Sequence, residues 1–210
     1  GDFEEIGKEF FAYFTKWGQI QNDHRVLDMG CGFGRMALPL IAFLDKGSYE
    51  GFDVHKKGIE WCLKHISEKK PNFKFNFTDV YNLNYNPTGT LKANTFQFPY
   101  ANEEFDFCFA TSLFTHLKPS DIRNYIKEMS RVLNSGGRCL VTVFLINEDA
   151  LLKIKAGAAR YSFSLQSGGF YTSNKEFPEE AIAYSEDTIT KYFEENGLAI
   201  DEILYGFWSG

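Results

Sequence analysis

Between Val26 and Arg35 the chain reads Val-Leu-Asp-Met-Gly-Cys-Gly-Phe-Gly-Arg, and no other stretch constrains its fold as tightly. The apolar run Arg25–Met29 has the character of a buried parallel strand. Gly30, Gly32 and Gly34 then form a turn without side chains, and Met36 to Leu44 reads as a helix. A strand, a bare turn and a helix start together make a place where a ligand lies against backbone. The next apolar run, Tyr49–Val54, carries Asp53 to the tip of a second strand. An acid about 20 residues beyond such a turn is placed to accept hydrogen bonds from ribose hydroxyls. The expected ligand is an adenosine-type cofactor.

A dinucleotide matches this turn poorly. Its fingerprint is G-x-G-x-x-G, which lets a pyrophosphate approach the helix start, whereas the spacing here is G-x-G-x-G. Asp28, two residues before the first glycine, would repel a pyrophosphate and suits a cationic ammonium. The segment resembles motif I of the class I S-adenosylmethionine-dependent methyltransferases, D/E-x-G-x-G-x-G. Further landmarks of that family follow in order. Tyr49–Val54 resembles its second strand, Phe73–Val80 its third and Phe105–Ser112 its fourth with the exit loop. Glu128–Arg138 resembles the helix and turn before the fifth strand, so the likeness spans roughly residues 25–146. The resemblance implies S-adenosylmethionine as cofactor, with contacts at Asp28, Gly30, Cys31, Gly32, Gly34, Asp53, Val54, Asp79, Val80 and Thr111. Asp79 stands where the family places an acid against the adenine amino group, and Val54 and Val80 would flank the ring.

Strands alternate with helices along the chain. That pattern predicts an α/β fold with a doubly wound, mostly parallel sheet of the seven-stranded methyltransferase type, helices on both faces. With 210 residues, 44% of them hydrophobic, one domain is expected. Its parts are an N-terminal helix within 1–20, a cofactor-binding core over 25–146, an acceptor-site insertion over 147–185 and a C-terminal helix and strand over 186–210. Residues 3–17 place Phe3, Ile6, Phe10, Tyr13, Phe14 and Trp17 at helical spacing. Residues 138–146 read as one strongly apolar strand, and 198–207 as the last strand. The family sheet closes with an antiparallel hairpin, and since only Trp208-Ser209-Gly210 follow the last expected strand, either the chain is truncated or the hairpin is incomplete. The 147–185 segment, with Gly168-Gly169 as a hinge, is expected to be a mobile wall over the acceptor, presenting Phe170, Tyr171 and Tyr184.

Methyl transfer from a sulfonium is an in-line displacement that needs a positioned nucleophile and, for many acceptors, removal of a proton. His116, just past the fourth strand, is the best general-base candidate, because an imidazole titrates near neutrality. A packing or capping histidine is the competing reading. Asp106, at the far end of that strand, reads as structural. The exit Ala110-Thr111-Ser112-Leu113 lacks the Asn/Asp-Pro-Pro-aromatic motif of many enzymes that methylate amide or base nitrogens. The expected acceptor is therefore a small molecule, methylated at oxygen or nitrogen. A protein or RNA methyltransferase and a non-catalytic cofactor-binding module are the alternatives.

The net charge of −6 argues against a general nucleic-acid binder, which needs a basic face. His24, His55 and His65 do not cluster with acids or cysteines at ligand spacing, so no metal is expected. No apolar run approaches the ~20 residues that cross a bilayer, so no membrane partner is expected. Cys31, Cys62, Cys108 and Cys139 form no C-x-x-C pair, and with no signal peptide legible the expectation is reduced thiols in the cytoplasm.

Overall fold

The strand read at Arg25–Met29 is β1, and its last four residues are buried. The computed structural model describes residues 2–209, in the order α1 (Asp2–Lys16), β1, α2 (Ala37–Phe43), β2 (Ser48–Asp53), α3 (Lys56–Cys62), β3 (Phe73–Phe77), β4 (Phe105–Ala110), α4 (Pro119–Val132) and β5 (Leu133–Val141). After these come β6 (Phe144–Ile146), α5 (Glu148–Lys155), β7 (Ser164–Leu165), β8 (Tyr171–Thr172), β9 (Ile182–Ser185) and α6 (Glu186–Glu194). The chain divides into two units: residues up to Thr111 with Arg131–Val141, and Ser112–Ser130 with Thr142 onward.

In the first unit, among the described residues, five strands pair in the order β3-β2-β1-β4-β5, every pair parallel. The order reverses between β1 and β4, and in doubly wound sheets ligands bind at the carboxyl ends of the strands beside such a reversal. The abundant phenylalanines fill this unit. Phe14 of α1 lies 4.4 Å from Phe109 and 5.4 Å from Phe107, ring centre to ring centre. Burying each such ring contributes about 1.5–3 kcal/mol over leaving it exposed. The N-terminal helix is thus core, as its spacing predicts, although Phe3 at its start is exposed. It also abuts the glycine turn. A Cβ on Gly7 would come within 2.8 Å of the Arg35 carbonyl oxygen, so α1 can lie this close only because residue 7 has no side chain. Helix α3 is followed by a π-helical turn, Leu63–Ser67.

The run 138–146 is two strands, not one. β5 ends at Val141, and Phe144–Ile146 leaves it to pair in parallel with β9. Apart from Arg138 and Thr142 the run is apolar, so periodicity gives no clear mark of the break. The expected turn at Asn134–Gly137 is instead absorbed into β5 as a register shift between the Phe105–Leu133 and Phe107–Arg138 pairs, with Gly136 at φ +80°.

The second unit holds a small sheet in the order β6-β9-β8-β7. Ile146, Phe163, Ala181 and Ala183 form its core, with Phe144, Tyr161, Tyr171 and Trp208 packed against them. Of the aromatics in the 147–185 segment, Tyr161, Phe163 and Tyr171 pack in this core. Tyr184 is fully buried and its hydroxyl donates to the Leu117 carbonyl at 2.6 Å, so it is not a free acceptor contact. Gly168-Gly169 is the tip of the β7–β8 hairpin, closed by the Gln166 N–H on the Phe170 carbonyl at 2.8 Å. The strand expected over 198–207 is absent. A strand needs a neighbour to complete its ladder, and among the described residues none pairs with this stretch. Leu204, Tyr205 and Phe207 are exposed, and Trp208 rests 5.3 Å from Phe163.

Candidate functional site

The glycine turn is tied to the end of β2. The Gly30 and Cys31 N–H groups both donate to the Phe52 carbonyl, at 2.9 and 3.1 Å, and Gly34 N–H donates to the Cys31 carbonyl at 2.8 Å. Gly32 and Gly34 sit at φ +54° and +73°, a region costly for any residue with a Cβ. Gly34 also lacks room, since a Cβ there would stand 2.9 Å from Ile66 Cδ1. At Gly32 the same atom would meet nothing within 4 Å, so this point of the turn faces open space.

Asp53 closes the turn from the other side. Its Oδ2 accepts Gly32 N–H and its Oδ1 accepts His55 N–H, each at 2.7 Å. Each carboxylate oxygen keeps a further lone pair for a hydroxyl. His55 in turn caps α3, its Nδ1 accepting Gly58 N–H at 3.0 Å. Two exposed rings flank His55: Phe33 at 5.1 Å and Tyr85 at 5.7 Å, edge-on. The sequence reading missed this aromatic rim. Phe33 occupies a free position of the glycine motif, and Tyr85 carries no local signal at all.

Asp28 is 1% exposed. Its Oδ2 accepts the Tyr49 hydroxyl at 2.6 Å, while Oδ1 is buried with no partner. Burial pushes its carboxyl up to about 8, against the opposing pull of the Tyr49 bond. Asp79 is differently placed. Its Oδ2 takes the Thr90 N–H and hydroxyl at 3.1 and 2.7 Å, and Oδ1 takes Asn86 Nδ2 at 3.1 Å. These bonds, Thr90 foremost, hold its carboxyl below the usual range. Asp79 therefore staples the 79–91 loop, whose ends also meet through a bridge between Val80 and Leu91. Asp79→Asn is expected to loosen that loop, read as faster amide hydrogen exchange at Thr90 and Leu91. Val80 is 2% and Thr111 8% exposed, Cys31 is buried and Val54 half-buried. The structure thus brings Asp28, the glycine turn and Asp53 together, and turns Asp79 towards its own loop.

In the second unit, His116 closes a short 3-10 turn, Phe114–His116. Its Nδ1 lies 2.8 Å from the Glu179 carbonyl oxygen, and Lys118 pairs with the Glu179 carboxylate at 2.6 Å. Ser112, which leads into this turn, has φ +58°, and its N–H donates to Thr142 Oγ1 at 2.7 Å. Asp106 is structural, as expected, accepting Arg25 N–H at 2.7 Å. No group of three metal-binding side chains occurs among the described residues, and no helix among them is long and apolar enough to cross a membrane.

Residues 26–137 match a family described as methyltransferase domain. An uncharacterized methyltransferase of Bacillus subtilis, YcgJ, is 28% identical over 144 residues, covering 69% of this chain and 50% of the relative. The O-methyltransferase rstn1 of Aspergillus nomiae is 28% identical over 117 residues, covering 56% of this chain and 45% of the relative. The chain thus spans about half the length of these curated relatives. The crystal structure of the B. subtilis YcgJ protein aligns with a TM-score of 0.59 at 21% identity, over 90% of this chain and 68% of that one. The family's methyl donor, S-adenosylmethionine, fits the residues present. The unpartnered buried Asp28 oxygen suits its ammonium, the spare lone pairs of Asp53 suit its ribose, and Gly32 leaves open space beside both. Matched over more than half its length, the chain belongs to the methyltransferase-domain family.

Proposed function

We propose that the protein methylates a small-molecule oxygen or nitrogen acceptor, with His116 as the base that takes the acceptor's proton. The observation that carries this is the contact between His116 and Glu179. A carbonyl oxygen can only accept, so His116 Nδ1 bears the hydrogen, and in the neutral imidazole it is then Nε2 that carries the lone pair a base needs. The left-handed Ser112 just before this turn is the kind of backbone strain that gathers at working sites. When bound, the cofactor supplies an electrophilic methyl on a cationic leaving group. The chain's own part is to hold it: Asp53 on the ribose, Asp28 on the ammonium, and Gly30–Gly34 with Cys31 as the bare cradle. Val54, Val80 and Thr111 line the remainder. Asp79 acts by holding its loop beside the adenine end.

The fungal relative, an O-methyltransferase by name, supports an oxygen acceptor. The net charge of −6 supports a small molecule over nucleic acid. Four free cysteines, three of them buried, support work in a reducing cytoplasm. The experiment is a screen of small hydroxyl, carboxyl and amine acceptors with methyl-labelled cofactor. Label entering a small molecule supports the reading. Label entering only protein or RNA overturns it, and so does cofactor binding without transfer to any acceptor class.

A further inference from the structure

Tyr49 is not among the residues expected to contact the cofactor, yet it is fully buried and its hydroxyl reaches Asp28. Its hydroxyl donates to Asp28 Oδ2 at 2.6 Å. The ring has little freedom. It stacks on Phe73 at 5.1 Å and meets Phe75 at 5.3 Å. A Cβ on Gly51 would come within 3.0 Å of the hydroxyl, so only glycine there leaves the oxygen its place. The register of β1 on β2 sets this up. Asp28 lies opposite Gly51, and Tyr49 is two residues earlier, on the same face of the strand. One oxygen of Asp28 is therefore fixed, and the other is buried with no partner.

We infer that Tyr49 is a positioning residue for cofactor capture: it holds Asp28 with one oxygen reserved for the ligand's ammonium, and so couples binding to release of a proton. The inference rests on the cofactor reading above. The groups that face Asp28 are few. Asp53, at the end of β2, disfavours its charge, and Arg35, from the turn, favours it. The thiols of Cys31 and Cys62 are both pushed up by burial and stay neutral. On β4 the neighbours are Phe107 and Phe109 with Cys108, another buried neutral thiol. Without a ligand the Asp28 carboxyl keeps its proton up to about pH 8. An arriving ammonium needs the carboxylate. The proton passes to solvent and the ion pair forms inside, so no other reactant is required.

The sign follows from this balance. Below about pH 8, each unit of acidity leaves about tenfold less carboxylate, so affinity rises by up to tenfold per unit towards pH 8 and then levels. Tyr49→Phe removes a donor that favours the carboxylate and moves the levelling point to higher pH. The test is calorimetry with S-adenosylhomocysteine from pH 6 to 8.5, in buffers of different ionisation enthalpy. Wild type is expected to release close to one proton at pH 6.5 and fewer near pH 8. Tyr49→Phe, nearly isosteric and checked for fold by circular dichroism, should bind about tenfold more weakly at pH 7, with a smaller deficit at pH 8.5. Asp28→Asn should bind with no pH dependence over this range. Wild-type binding that is flat with pH and releases no proton overturns the inference while leaving the cofactor reading intact. Equal weakening of Tyr49→Phe at every pH also overturns it, because a merely structural tyrosine behaves that way. Failure of wild type to bind at any pH overturns both.

Discussion

Replacing His116 with alanine is expected to slow methyl transfer about 10²- to 10⁴-fold, the usual range for a general base, and to leave S-adenosylhomocysteine affinity unchanged. The argument is one of proton bookkeeping. With Nδ1–H given to the Glu179 carbonyl at 2.8 Å, the lone pair at Nε2 is the imidazole's remaining acceptor. His116→Asn separates the two roles of the ring. Its amide can still donate towards the Glu179 carbonyl, but it cannot take a proton. It should therefore keep the turn and lose the rate. Full activity in both variants would mean that the acceptor gives its proton to solvent and that His116 only secures the turn. A rate loss accompanied by equal loss of thermal stability in alanine alone would point the same way. Raising the pH should recover part of the lost rate in either variant, since hydroxide then does what the imidazole did.

What the sequence discloses here is mostly short-range. The strand at Arg25–Met29, the turn at Gly30–Gly34 and the acid at Asp53 are legible because each is set by neighbours along the chain. The same holds for Pro119, which opens α4 where its fixed φ suits a helix start. The partners of Asp28 and Asp79 are not legible. Tyr49 meets Asp28 only through the β1–β2 register, and Thr90 reaches Asp79 across eleven residues of loop. The break at Thr142–Val143 escapes for a different reason. Both flanking strands are apolar, so the hydrophobic pattern runs on while the backbone changes sheets. The aromatics of 147–185 are ambiguous in sequence, because a ring that completes a core and a ring that lines a pocket look alike. Phe163 and Tyr171 turn out to serve the core of the second sheet.

Asp53→Ala is expected to weaken S-adenosylhomocysteine binding by about 1.5–3 kcal/mol, roughly 10- to 150-fold, the worth of hydrogen bonds to a charged acceptor. Two losses combine in that figure. The ribose hydroxyls lose the oxygens that would receive them. The Gly32 and His55 N–H groups, each held at 2.7 Å, lose their acceptor, so the turn and the start of α3 are no longer pinned to each other. Asp53→Asn separates these parts. Its one carbonyl oxygen can keep a single backbone bond, while the amide nitrogen must turn a donor towards the other N–H. The asparagine variant should therefore fall between wild type and alanine in affinity, and calorimetry gives the order directly. A ligand lacking the ribose hydroxyls supplies the second axis. If Asp53 acts on the ribose, the 2′,3′-dideoxy analogue should prefer wild type over Asp53→Ala by a smaller factor than the parent ligand does, because only the loss of the pinned turn then separates the two proteins. If the analogue still prefers wild type by the full factor, Asp53 works through the backbone of the turn alone, and the ribose lies elsewhere.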